Sequence, residues 1–181
     1  MFKKFTREDV HSRSKVKSSI QRTLKAKLVK QYPKIEDAID ELIPKKSQIE
    51  LIKCEDKIQL YSVDGEVLFF QKFDELIPSL KLVHKFPEAY PTVQVDRGAI
   101  KFVLSGANIM CPGLTSAGAD LPPAPGYEKG TIVVINAENK ENALAIGELM
   151  MGTEEIKSVN KGHSIELIHH LGDPLWNFSV E

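Results

Sequence analysis

GAIKFVLSGANIMCPG, residues Gly98–Gly113, is the stretch on which the reading of the C-terminal half turns. Its first part, AIKFVLSG, alternates in the manner of a strand and runs into a glycine turn, a short apolar piece and a second glycine. Gly106 and Gly113 can adopt positive φ without steric cost, and their missing side chains leave peptide N–H groups free to meet a phosphate or a ribose oxygen. A tight turn that serves packing alone fits the same residues, and the physics of the segment leaves both readings open.

Outward from this stretch, TIVVINAE, ENALAIGELMM and HSIELIHHL read as further short strands between Gly- and Pro-rich connections, the pattern of a small barrel or sandwich. TEEIKSVN interrupts them as a helix, with Thr153 as N-cap and Glu154 and Glu155 in the first turn. Toward the N-terminus, KFPEAYPTVQVD (Lys85–Asp96) holds two prolines and no long apolar period, so it reads as a linker. The boundary is expected near Thr92, giving domains at 1–92 and 93–181.

In the first of these, Val16, Ile20, Leu24 and Leu28 recur at one helical turn over Lys15–Gln31, with Ser14 as cap and Tyr32-Pro33 as stop. IEDAIDELI follows as a second helix ending at Pro44. The period then changes to two: QIELIKC, KIQLYSV and EVLFFQKF read as strands, and Asp64-Gly65 supplies the two positive φ angles of a type I′ hairpin. Leu76, Leu80 and Val83 make a short helical stripe with Pro78 in its first turn. The fold class is therefore α+β, an N-terminal module of antiparallel sheet and helices followed by a C-terminal barrel.

At 181 residues with 42% apolar and 27% charged side chains, the chain has the composition of an ordinary globular protein of one or two domains. No stretch approaches the roughly 20 apolar residues that cross a bilayer, and MFKKFTREDVHSRSKVK lacks the apolar core of a secretory signal. A cytoplasmic protein with reduced thiols at Cys54 and Cys111 is expected. The net charge of −1 conceals an asymmetry: residues 1–30 carry ten Lys or Arg against Glu8 and Asp9, a net of +8, while residues 94–181 carry a net of −5. Such a split suits contact with nucleic acid at the basic end, and equally a solvated helix face.

Enzymatic motifs are missing. Ser105-Gly106 lacks the preceding glycine of a nucleophile elbow, and neither GxxxxGK[ST] nor GxGxxG occurs. Cys54 and Cys111 are isolated, and His169 and His170, being adjacent on a strand, point to opposite faces, so no metal site is expected. Cys111 has no basic neighbour in sequence to depress its pKa and reads as a partly buried inert thiol. No cofactor is expected either.

The segment VDRGAIKFVLSGANIMCPGLTSAGAD, followed by KGTIVVI, ALAIGELMM and KGHSIELIHHLGDPLW, closely resembles the PUA domain of the malignant T-cell-amplified sequence family. MFKKF, the PKK at Pro44–Lys46, VDGEVLFF and LVHKFP resemble that family's N-terminal domain, so the likeness spans essentially the whole chain. It implies a PUA-type pseudo-barrel after a pre-PUA domain, and a non-enzymatic role in translation. Family members pair with the density-regulated protein and act on the small ribosomal subunit in recycling, re-initiation and release or delivery of tRNA. The pair resembles the two ends of ligatin. The barrel is expected to bind structured RNA near the acceptor end of tRNA, with neither DNA nor membrane as partner.

Carried over residue by residue, the implied RNA-binding loop comprises Lys101, Ser105, Gly106, Ala107, Asn108, Met110, Pro112 and Gly113. Lys101 suits a phosphate and Asn108 a ribose hydroxyl or a base edge. Ile109 and Met110 read as core rather than stacking surface, and Trp176 as a barrel-closing residue. Two features depart from the simplest picture. The PUA half is net acidic, which shifts the expected phosphate grip to Lys3, Lys4, Arg7, Lys45 and Lys46, and the proline-rich loop Leu121–Gly130 is longer than the family's usual connector. The acidity also supports an alternative, a protein-interaction scaffold whose barrel does not touch RNA.

Overall fold

Short alternating runs between Ile49 and Pro78 supply most of a five-stranded antiparallel sheet, and the remainder comes from a segment with no apolar pattern at all. In the computed structural model, which describes residues 1–180, the chain forms two units. One comprises Lys4–Ala89 and the chain from Asn177 onward; the other comprises Met1–Lys3 and Tyr90–Trp176.

The sheet of the first unit runs in the order β1 (Val10–Lys15), β2 (Ile49–Cys54), β3 (Gln59–Val63), β4 (Glu66–Lys72) and β5 (Glu75–Pro78). Asp64 and Gly65 join β3 to β4 with φ of 51° and 83°, the two left-handed residues of the expected type I′ turn. Val67–Phe70 are buried in succession, so β4 is covered on both faces and its VLFF run needs no polar alternation. The helix expected over Lys15–Gln31 with Ser14 as cap meets strand β1 only at Ser14 and Lys15. VHSRSK carries almost no apolar side chain; its backbone pairs antiparallel to β2 as an edge strand of the sheet, and Arg13 adds an ion pair to Glu50 of β2.

The first helix, α1, therefore starts later, at Ser18, and runs to Gln31. Ser14 does not cap it. Its buried stripe is Gln21, Leu24 and Leu28, while Ile20, expected in the core, is 48% exposed. The cause is visible at Gln21: its amide accepts from the Ile49 N–H at 3.0 Å and donates to the Ser47 carbonyl at 2.9 Å, so α1 turns this polar side inward to satisfy the start of β2. At its other end the Tyr32 hydroxyl donates to the Leu76 carbonyl at 2.8 Å. The expected single second helix is divided into a 3₁₀ segment, Pro33–Ala38, and a short α2, Ile39–Leu42. Leu76 lies in β5, not in a helix: Pro78 ends this edge strand, where the missing N–H costs no ladder bond, and Ser79 starts α3 (Leu80–Lys85) by accepting from the Leu82 N–H.

The second unit has a mixed five-stranded sheet in the order β6 (Thr92–Val95), β8 (Ile132–Ala137), β9 (Ala145–Leu149), β10 (His163–His170) and β7 (Ile109–Met110). Only β6 and β8 are parallel. This is the curled half-barrel of a PUA-type fold, with Val93, Val133, Ile135, Leu149, Ile156 and Ile165 in its core. The residues read as a linker thus contain β6, whose Val93 and Val95 belong to that core.

AIKFVLSG is not a strand. The Asp96 carboxylate accepts from the Ala99 N–H at 2.9 Å, starting a 3₁₀ turn (Arg97–Ala99) that continues as α4, Ile100–Leu104. Only Val103 of α4 is buried; Phe102 is 57% exposed. The other helices are α5 (Pro112–Thr115) and α6 (Thr153–Val159). Thr153 is the first residue of α6 rather than its cap, and its buried hydroxyl accepts from the Tyr127 N–H, tying the Leu121–Gly130 loop to the barrel. After the last strand Leu175 is buried, whereas Trp176 is half-buried.

Removing the Gln21 amide while keeping its volume tests its role. Gln21→Met leaves the buried Ile49 N–H without its acceptor and is expected to cost about 1–3 kcal/mol, seen as a lower urea midpoint with an unchanged slope.

Candidate nucleic-acid interface

In the second unit the loop after α4 is built by its own backbone. Ser105 donates its hydroxyl to the Phe102 carbonyl at 2.7 Å, the Gly106 N–H goes to Val103 and the Ala107 N–H to Phe102, at 3.0 and 3.1 Å. Gly106 has the positive φ expected of it, 89°, but it is buried, and its N–H is spent inside the turn. Gly113 lies within α5 without a positive φ, and its carbonyl accepts from the Asp96 N–H. The expectation of a free glycine N–H is thereby corrected at Gly106, whose donor closes the turn after α4.

What Gly106 permits is close approach by side chains. A Cβ at this position would sit 3.2 Å from Cε of Lys3 and 3.4 Å from Nε2 of His170. Lys3, read from sequence as part of the N-terminal patch, thus belongs to the PUA unit and lies beside its loop. Lys101, exposed on α4, holds its ammonium 5.1 Å from the centroid of the Phe102 ring. Asn108 is exposed, yet its Oδ1 accepts from the Leu167 N–H at 2.9 Å, which fixes the loop to β10 and leaves the amide nitrogen outward. Met110 is 45% exposed on β7 rather than in the core, and Pro112, two residues on, is exposed as well. Cys111 is fully buried, and burial pushes its thiol pKa up.

In the first unit a cleft of about 1130 Å³ opens beside β1. Arg13, Lys15, Arg22, Lys25, Lys45 and Lys46 line it, against Asp40, Glu50 and Asp64. Arg13 is held by Glu50 at 2.7 Å and Lys25 by Asp40 at 3.4 Å. Lys15, Arg22, Lys45 and Lys46 form no salt bridge among the described residues. Of the expected basic patch, then, Lys45 and Lys46 meet in this cleft, whereas Lys4 and Arg7 do not line it; the Arg7 guanidinium donates to the Ser179 carbonyl. Sequence reasoning missed Arg13, Lys15, Arg22 and Lys25. The signal was the charge of residues 1–30, but grouping the cations needed the path of the chain through β1 and α1.

A buried polar pair closes the far end of β10. His169 Nδ1 lies 2.8 Å from Asp173 Oδ2, and the Phe2 ring meets the imidazole edge-on at 6.2 Å. Burial holds the His169 pKa below its ordinary value of 6.5, more than the Asp173 carboxylate raises it. Burial alone would raise the Asp173 pKa, but the His169 bond and the N–H groups of Trp176 and His170 hold it below its usual value. Neutral His169 donating to ionised Asp173 satisfies both. Among the described residues no cluster of His, Cys, Asp or Glu is placed to hold a metal ion, and no helix is long and apolar enough to cross a membrane.

Comparison with known proteins follows this division of the chain. A Pre-PUA-like domain matches residues 4–87 and a PUA domain residues 91–171. The chain is 99% identical over 181 residues, all of both sequences, to translation machinery-associated protein 20 of Saccharomyces cerevisiae. It is 48% identical to malignant T-cell-amplified sequence 2 of Homo sapiens over 99% of each. Among solved structures it is similar to a hypothetical protein of the hyperthermophilic archaeon Pyrococcus horikoshii, with a TM-score of 0.73, 23% identity, and coverage of 92% of this chain and 98% of that one. At that identity the likeness concerns the fold alone.

The buried pair gives stability a pH dependence. Because the folded pKa of His169 is depressed, the unfolded chain takes up the proton first, and stability held above pH 6.5 is lost as pH falls below it. Asp173, also depressed, adds a loss at lower pH, beneath the ordinary carboxylate pKa. Urea midpoints measured from pH 7.5 to 5 should fall, and His169→Gln should flatten the upper part of that fall.

Proposed function

Because the chain belongs to the family of translation machinery-associated protein 20 and the malignant T-cell-amplified sequences, we propose that it is a non-enzymatic RNA-binding factor of translation. The observation that carries this reading is the cleft beside β1, where four cations stand without carboxylate partners among the described residues. A phosphate backbone is the ligand that such an arrangement fits. Each bound phosphate releases condensed counterions, a gain that requires neither a base-specific contact nor a bond made or broken. No aromatic side chain lines the cleft, so it suits backbone contact rather than the stacking of unpaired bases.

In the finer reading the protein acts with a density-regulated-protein-like subunit on the small ribosomal subunit, in the cytoplasm, during re-initiation, recycling and the release or delivery of tRNA. The pre-PUA cleft supplies grip through Lys15, Arg22, Lys45 and Lys46. The PUA unit, net acidic, contributes position: Lys3 and Lys101 flank the Ser105–Asn108 loop and suit phosphates at the acceptor end of tRNA, with the outward amide nitrogen of Asn108 as a donor. The protein-interaction scaffold gains support from one observation, the internal use of the Gly106 and Ala107 N–H groups. Under it, Lys3→Glu and Lys101→Glu leave ribosome co-sedimentation unchanged.

The electrostatic reading has a quantitative form. If four phosphates are neutralised, the logarithm of the affinity for purified small ribosomal subunits should fall against that of salt with a slope of roughly −4. Arg22→Gln or Lys46→Gln should each reduce the slope by about 1 without changing the thermal midpoint. A slope near zero overturns the phosphate contacts.

A further inference from the structure

The turn between β4 and β5 carries two features that each oppose folding. Lys72 pairs with Glu75, so Phe73 and Asp74 form a two-residue hairpin loop. Phe73 stands at its first central position with φ of 65°, a place where a type II′ turn prefers glycine and a bulky side chain is strained. The same ring is 81% exposed, more than any other large apolar side chain among the described residues. Neither feature stabilises the unit, yet the turn is braced: Gln71 donates to the Phe73 carbonyl at 2.8 Å and accepts from the Tyr61 hydroxyl at 3.3 Å. Strain held in place by surrounding structure is a mark of a functional position.

We propose that Phe73 is a docking finger that inserts into an apolar socket, rimmed by lysine or arginine, on the protein subunit with which this chain pairs. The occupant follows from charge. Asp74 and Glu75, both exposed, follow Phe73 in the chain, and Lys72, half-buried, keeps its ammonium 5.9 Å from the ring centroid. A nucleic acid stacking a base on Phe73 would bring its phosphates against two carboxylates, whereas a cationic rim on a protein complements them. The finger also stands apart from the cation-lined cleft, which none of residues 71–75 lines, so the two surfaces can be engaged by different partners. This inference rests on the pairing proposed above.

The test measures binding of the full chain to the purified density-regulated-protein-like subunit, and separately to purified small ribosomal subunits without it. Phe73→Gly relieves the positive φ, so it should raise the melting temperature by about 2–4 °C while weakening binding to the partner by about 30-fold. Phe73→Trp should retain binding, and Asp74→Lys should weaken it with Phe73 intact. A more stable protein that binds less well separates docking from folding. Unchanged partner binding by Phe73→Gly overturns the finger, as does a loss seen only with ribosomal subunits, which would assign the ring to RNA. If the unaltered chain does not bind the subunit at all, the pairing falls and takes the finger with it, while the salt dependence of ribosome binding still decides the cleft on its own.

Discussion

One side-chain amide sets the phase of α1 against the sheet of the first unit. Gln21 gives its oxygen to Ile49 and its nitrogen to Ser47, and a helix so fastened has no rotational freedom left. The next residue, Arg22, then lines the cleft beside β1, with Lys25 a turn further on. Satisfying a buried N–H and directing charge into the cleft are here a single geometric event. The cost of an orphaned buried donor is what makes the arrangement specific, since hydrophobic contact alone would tolerate several rotations of the same helix.

The second unit solves a different problem. Its net charge opposes a phosphate backbone, so long-range attraction cannot be its contribution to affinity. What it carries is a loop closed by the Gly106 and Ala107 N–H groups and anchored to β10 through Asn108, with Lys3 beside Gly106.

The parts legible in the sequence were those governed by local rules. Asp64-Gly65 announced its turn because two consecutive positive φ angles admit few residue types, and the IELIKC and VLFF runs declared strands by composition. The rest was hidden for identifiable reasons. Strand β1 has no apolar period, because an edge strand of this kind is held by backbone pairing. The phase of α1 was misread because the buried residue is a glutamine and the exposed one an isoleucine, the reverse of the usual ranking. AIKFVLSG alternates like a strand, yet a single carboxylate, Asp96, starts a helix there. Four of the six cations lining the cleft lie on β1 and α1, Arg13 and Lys15 on the strand and Arg22 and Lys25 on the helix, which is why Lys45 and Lys46 were identified while these four were not.

The two units do not divide the chain into two consecutive pieces: the polypeptide passes from one to the other after Lys3, again after Ala89 and again after Trp176. A protease cutting between Ala89 and Tyr90 would therefore release no self-sufficient half. The C-terminal fragment would lack Phe2, whose buried ring meets His169, and the N-terminal fragment would lack Val180, which lines the cleft. Each fragment would carry a few residues that fold only with the other, so limited digestion should leave a nicked protein that stays together rather than two independent domains.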